Sequence, residues 1–203
     1  MIKNVIFDLG RVMYTYWPRE DLLNLGFEDV KADQLMGCIF NNPIWREIDK
    51  GLCSFKEGID KMCAESPTHA PDIRRVLDDN WIDRVVNLMP ASVEFFKEVK
   101  QAGYKTYVIS DMGADVFAHL RGRDAFFFDQ VDGILISAHE KLLKPDPAIF
   151  ECLLNRYELV PEETVFIDDL PGNIAAAKGL GLSGIVFVDV EGCRRAFDLL
   201  GCN

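Results

Sequence analysis

Residues 4–13, NVIFDLGRVM, set three strand-forming side chains, Val5, Ile6 and Phe7, directly before an acid, Asp8, and a Leu9-Gly10 pair that can turn sharply. A short apolar run with β-branched members and no helical period is the pattern of a buried strand, expected over residues 2–8. From Pro90 onward the same kind of run recurs in alternation with helices. The pattern predicts helix 91–102 ending at Gly103, strand 104–110, helix 114–121, strand 131–136, helix 146–157, strand 164–168, helix 172–180 and strand 184–188. Such alternation requires crossover connections and yields an α/β fold, a doubly wound, mostly parallel sheet covered on both faces.

Between the first strand and this alternation the texture is helical and discontinuous. Segments near 19–25, 31–40, 43–50, 54–65 and 70–86 carry apolar residues at three- and four-residue spacing, broken by Gly26, Pro43, Gly51, Pro67 and Pro71. Ser54 followed by Glu57 is a capping-box signature. The chain therefore divides into an α/β core, residues 1–16 and 87–203, and an inserted helical unit, residues 17–86.

In a parallel sheet ligands bind beyond the carboxyl ends of the strands, so the residues there carry the functional information. The first strand ends in Asp8, YKTYVIS ends in Ser110 with Asp111 next, and TVFID ends in the pair Asp168-Asp169. KLLKPDP sets Lys144 just before a helix expected to start at Asp146-Pro147. An aspartate can attack phosphorus and divide a difficult hydrolysis into two easier steps. A carboxylate approaching a phosphate dianion is repelled, and a magnesium ion held by Asp8 and the Asp168/Asp169 carboxylates would remove that repulsion. Lys144 would add a fixed positive charge, and Ser110 with nearby backbone N–H groups would hold the phosphoryl oxygens.

Composition agrees. With 203 residues, 49% hydrophobic and 27% charged, the chain can bury a sizeable core, and a mean hydropathy of +0.02 excludes disordered and fibrous classes. A net charge of −11 excludes a nucleic-acid or anionic-membrane footprint, which needs basic patches. No apolar run approaches the ~20 residues of a membrane span, and Met1-Ile2-Lys3-Asn4 leaves no room for a secretory leader before the first strand, so a cytoplasmic protein is expected. Cys38, Cys53, Cys63, Cys152, Cys193 and Cys202 show no metal spacing and are expected to be mostly small buried hydrophobes, and His69, His119 and His139 to be surface or helix-end residues.

Four stretches, VIFDLGRVM, YVISD, KPDPAIF and VFIDDLPGNIAAAKGLG, resemble the four ordered motifs of the haloacid dehalogenase-like hydrolase superfamily, in the branch whose small helical cap follows the first strand. WREIDKGLCSFKEGIDKM is similar to the glycine-containing helix–turn–helix of that cap. The resemblance implies a Rossmann-like core, Asp8 as nucleophile, Ser110 as phosphate ligand and Lys144 as charge anchor. It implies Asp169 as a direct Mg²⁺ ligand with Asp168 as neighbour or co-ligand, and Asn173 as the asparagine of the DDxxxN form. The expected partner is a small phosphorylated metabolite, and a subgroup with FDLGNV-like sequences includes sugar-phosphate phosphatases.

The sequence departs from the family pattern at three positions. Gly10 stands where most phosphatases of the superfamily carry a second aspartate as general acid/base; its carbonyl can still ligate magnesium, but the side-chain proton donor is gone. Asp111 stands where asparagine is commoner, and is tolerable beside a phosphate if it faces away or is hydrogen-bonded. Lys141 replaces a glycine often found three residues before the motif lysine. Arg11 is either a phosphate contact or a solvent-exposed side chain. A dehalogenase is disfavoured, since attack on carbon needs no metal and that family lacks the paired acids. A phosphate- or partner-binding relative that lost turnover with its general acid is the alternative. Tyr14, Tyr16, Trp17, Phe40 and Trp45 read mainly as core of the insertion.

Overall fold

The structure, a computed structural model, describes residues 1–201; Cys202 lies outside them. β1 (Asn4–Phe7) is wholly buried and is followed by six helices, α1 (Pro18–Asn24), α2 (Asp29–Cys38), α3 (Pro43–Asp49), α4 (Phe55–Glu65), α5 (Ala70–Val76) and α6 (Trp81–Val85). The alternating half follows as α7 (Pro90–Gln101), β2 (Lys105–Ser110), α8 (Ala114–Arg123), α9 (Ala125–Phe128), β3 (Gly133–Ile136) and α10 (Ser137–Glu140). It ends with α11 (Pro147–Arg156), β4 (Thr164–Asp168), α12 (Pro171–Gly179), β5 (Ser183–Val186) and α13 (Val190–Leu199).

All strand pairs are parallel and the sheet order is β3-β2-β1-β4-β5. The chain winds from β1 through β2 to β3 on one side, then returns to place β4 and β5 on the other. β1 and β4 therefore flank the topological switch point, where the crevice of such a sheet opens. Asp8 leaves β1 at that point, its backbone N–H donating to the Ile167 carbonyl at 2.9 Å.

The alternation of side chains along β1 separates two apolar layers. Val5 and Phe7 join the layer built with α7, α8, α13 and the inserted helices, whereas Ile6 joins Ile109, Phe166 and the buried faces of α11 and α12. An aromatic group centred on Trp81, with Phe40, Trp45 and Phe55 around it, fills the middle of the inserted helices. The capping box forms as expected, Glu57 N–H donating to Ser54 Oγ and Ser54 N–H to Glu57 Oε2.

The helix expected over 70–86 is two. The Asp78 carboxylate accepts from Asn80 N–H at 3.1 Å, and its carbonyl accepts from Trp81 N–H at 3.0 Å. This local turn competes with the helical ladder and interrupts it between Val76 and Trp81. The cysteine expectation is also corrected: Cys63 and Cys193 are buried, but Cys38, Cys53 and Cys152 are only partly so, each packed along the edge of an apolar layer. His119 lies on the surface beside Asp83, and His69 immediately precedes α5. No helix of the described residues is long and apolar enough to cross a membrane.

The turn between α3 and α4 is pressed against α10. Gly51 has φ +70°, and a Cβ there would overlap the Ala138 carbonyl oxygen, so the approach requires glycine. Ser137 Oγ donates to the Asp49 carbonyl at 2.5 Å, and Lys141 Nζ donates to the Gly51 carbonyl at 2.6 Å. These contacts bring the end of α3 to the carboxyl edge of the sheet.

Candidate active site

Each side chain singled out at a strand end arrives at one place. Past β1 the chain folds back at once: the Leu9 carbonyl accepts from the N–H groups of Met13 and Tyr14, and Arg11 takes φ +59°. Asp8, 6% exposed, is thereby left at the floor of a cleft. Lys144 Nζ lies 2.8 Å from Asp8 Oδ1 and 2.6 Å from Asp168 Oδ2 and is itself buried. Burial alone would push this ammonium down, but Asp8, Asp168 and Asp111 together hold it above the ordinary lysine range. Burial pushes Asp8 up to about 7, with Asp168 adding to the rise and Lys144 opposing it. A buried cation between two carboxylates is costly to lose, because either partner left alone would be an uncompensated charge.

Asp168 is fully saturated. Its Oδ1 accepts from Leu170 N–H at 2.8 Å and Asn173 Nδ2 at 3.0 Å, and its Oδ2 accepts from Asn173 Nδ2 at 3.0 Å besides Lys144. Asp169 turns the other way, half-buried and facing the cleft, with Arg11 Nη1 3.3 Å from its Oδ2. Burial and Asp168 push its carboxyl up, and Arg11 and Lys144 pull it back. Oxygens of Asp8, Asp168 and Asp169 all lie within 4.8 Å of one another, an all-oxygen donor set of the kind a hard divalent cation takes.

The doubt over Asp111 resolves in favour of a hydrogen-bonded acid: its Oδ1 accepts the Lys144 backbone N–H at 3.0 Å. The carboxylate thus positions the lysine. Lys141 takes φ +57°, a conformation that glycine adopts at no steric cost, which accounts for the glycine commonly found there in the family pattern. Arg11 lines the cleft, its guanidinium 4.3 Å from the Trp17 ring centroid and partly in solvent.

The cleft encloses about 590 Å³. Asp8, Gly10, Arg11, Ser110, Asp111, Lys144, Asp169 and Asn173 line it, and Asp168 lies fully buried below them. Tyr16, Trp17, Pro18, Met36 and Leu170 complete the walls. Tyr16 and Trp17 are therefore cleft residues, whereas Tyr14 is core, its hydroxyl donating to Asp124 at 3.0 Å, and Phe40 packs on Trp45 and Trp81.

One acid escaped the sequence reading. Asp49 lines a second, smaller cavity of about 110 Å³ that shares Gly10, Tyr16, Ser110 and Asp111 with the cleft. Its signal in the sequence was an acid two residues before the turn glycine of WREIDKG, which becomes meaningful only once that turn is known to dock on the sheet edge.

Comparison with known proteins places the chain among hydrolases. The family model described as haloacid dehalogenase-like hydrolase matches residues 38–181. A sesquiterpene phosphatase of Aspergillus oryzae is 26% identical over 203 residues, covering 98% of this chain and 97% of that protein. A D-ribitol-5-phosphate phosphatase of Bacteroides thetaiotaomicron is 23% identical over 192 residues, 89% of each chain. Two longer relatives, an acyl-CoA dehydrogenase family member 10 of Mus musculus and a drimenol cyclase of Aspergillus calidoustus, match over 18% and 34% of their own lengths. Among solved structures, a HAD-like hydrolase of Porphyromonas gingivalis superposes with a TM-score of 0.73 at 19% identity, covering 98% of both chains. A HAD family enzyme of Bacteroides thetaiotaomicron, in complex with magnesium and inorganic phosphate, superposes with a TM-score of 0.68 at 23% identity, over 91% of this chain and 93% of that one.

Proposed function

This chain belongs to the haloacid dehalogenase-like hydrolase family, and from that premise we propose that it is a magnesium-dependent phosphomonoesterase that cleaves a small phosphorylated metabolite through an aspartyl-phosphate on Asp8. The observation that carries the reading is the Lys144 ammonium between Asp8 and Asp168, at the switch point of the sheet, beside a cluster of three carboxylates.

The donor set fits magnesium. Asp8 Oδ1 and both Asp168 oxygens accept hydrogen bonds from Lys144, Asn173 and Leu170, which leaves Asp8 Oδ2 and the Asp169 carboxylate, with the Gly10 carbonyl, as the ligands we assign. Asp168 then braces the lysine and the metal side chains. Bound there, Mg²⁺ would neutralise charge on the phosphoryl oxygens and let the anionic nucleophile approach. Lys144 keeps Asp8 oriented and counters its charge; Ser110, Asp111 and Arg11 form the remaining phosphate side of the cleft. Asp8 attacks phosphorus, the bond to the leaving oxygen breaks, and water then attacks the phosphorus of the aspartyl-phosphate to release inorganic phosphate and return the carboxylate.

Residues 17–86 serve in this reading as the cap that selects the leaving group. The polar floor, with Ser110, Asp111 and Asn173, and the likeness to the D-ribitol-5-phosphate phosphatase support a sugar or polyol phosphate. The walls favour a second reading: Tyr16, Trp17, Pro18 and Met36 offer an apolar surface, which would suit an apolar leaving group such as that implied by the sesquiterpene phosphatase relative. Phosphate release from an aryl phosphate, with and without Mg²⁺, tests the activity, and a panel of sugar and prenyl phosphates sorts the leaving group. Phosphate binding without turnover in Mg²⁺ would contradict the enzyme reading and favour a binding protein.

A further inference from the structure

We propose that Asp49, at the end of α3, is the general acid/base of this site, supplying from the inserted helices the proton that the missing side chain at Gly10 cannot. The proposal rests on the phosphomonoesterase reading above and adds to it the group that protonates the leaving oxygen.

Three features of the geometry converge. Gly10 leaves space, since a Cβ built there would meet nothing within 4 Å. Asp49, carried by the inserted helices, faces a small cavity that shares Gly10, Tyr16, Ser110 and Asp111 with the cleft, so it approaches the phosphoryl position over Asp8 from beside Gly10. Its position is fixed rather than adaptable, because Ser137 Oγ holds the Asp49 carbonyl and the next turn is locked against Ala138 at Gly51. The other acids of the site are engaged: Asp111 accepts the Lys144 N–H, Asp168 is saturated, and Asp169 is paired with Arg11.

The surroundings favour an acid that carries a proton near neutrality. Burial pushes the Asp49 carboxyl up to about 7 and Asp111, across the cavity, adds to the rise, while Arg46 on its own helix and the Gly113 N–H pull it down. Tyr16 faces it from the segment after β1 and stays protonated, its own ionisation held up by burial and by Asp49. In the first step Asp8 Oδ forms the bond to phosphorus, and the bond from phosphorus to the leaving oxygen breaks with its electron pair going to that oxygen. Asp49 passes its proton there, giving a neutral alcohol and an Asp49 carboxylate. In the second step that carboxylate takes a proton from water as the water oxygen bonds to phosphorus. The aspartyl P–O bond then breaks, its electron pair returns to Asp8, and Asp49 is again protonated.

The test compares Asp49→Asn with wild type on an alkyl and a nitrophenyl phosphate under single turnover, following release of the alcohol or nitrophenol, which reports the first step alone. General acid assistance is worth ~10²–10⁴-fold, so the variant loses that much on the alkyl ester and at least about tenfold less on the aryl ester, whose leaving group departs without a proton. The fall in wild-type kcat/KM on the alkyl ester above about pH 7, where the acid ionises, disappears in the variant. Combining Gly10→Asp with Asp49→Asn restores alkyl-ester turnover. Equal losses on both esters, or an unchanged basic limb in the single variant, overturn the proposal while leaving the phosphomonoesterase reading intact. Wild-type protein that releases no phosphate from either ester in Mg²⁺ overturns both.

Discussion

Replacing Lys144 by methionine keeps the volume of the stem and removes the charge, and the structure sets the consequences. Nζ lies 2.8 Å from Asp8 and 2.6 Å from Asp168. At an effective dielectric of about 20 each contact is worth about 6 kcal/mol of attraction. Desolvation of the ammonium and repulsion between the two carboxylates offset much of this, and breaking one side of a buried pair costs about 3–5 kcal/mol in practice. Against a total stability of roughly 5–15 kcal/mol the variant still folds, with a lowered Tm. The deficit depends on pH with a definite sign. Without the ammonium, the Asp8 carboxyl rises further above its unfolded value. A carboxyl raised in the folded state contributes stability at low pH that is lost as pH climbs through the folded pKa. Urea unfolding of metal-free protein should therefore show a smaller deficit near about pH 5 than near about pH 8. Turnover should fall by ~10²–10³-fold in kcat/KM, the usual effect of losing one preorganised electrostatic contact. A pH-independent deficit, or kcat/KM within about threefold of wild type on a chemistry-limited substrate, would mean that Lys144 does not counter the Asp8 charge.

Other positions give further tests. Asn173→Ala removes a donor to both oxygens of buried Asp168 and should cost roughly 1–3 kcal/mol in urea unfolding with a fall in turnover; unchanged stability would mean Asp168 finds another partner. Asp132 is held down to about 2: burial opposes, but Lys100, Thr106 N–H and Lys105 prevail. Its stabilisation is therefore present above the unfolded aspartate pKa and is lost as pH falls through about 2, and Asp132→Ala should destabilise at neutral pH by roughly 1–3 kcal/mol because the Thr106 N–H is left buried without a partner. Gly51→Ala should lower Tm and loosen the contact of the α3–α4 turn with α10, read by hydrogen exchange at Lys141 and its neighbours; full protection there would contradict the docking argument.

The parts of the molecule that depend on local pattern were legible. Apolar runs ending at Asp8, Ser110 and Asp168 mark strands because a strand buried on both faces has no other composition available. Asp146 before Pro147 marks a helix start because its side chain accepts the Ala148 N–H. What could not be read depends on segments far apart in the chain. Asp49 becomes a site residue only because Ser137 and Ala138, some ninety positions later, hold its turn against the sheet edge. Asp111 turns from an unwelcome charge into a positioning group only through the Lys144 backbone. The break between α5 and α6 was a local signal, Asp78 through Asn80, outweighed by the helical spacing on either side of it.

Every step of the proposed hydrolysis depends on Asp8 carrying the phosphoryl group. Acid quenching during turnover of a substrate with a radiolabelled phosphoryl group, followed by peptide mapping, tests it directly. Mg²⁺-dependent label is expected on the peptide containing Asp8 and none in the Asp8→Asn variant. Label on another residue, or undiminished turnover in Asp8→Asn, would contradict it.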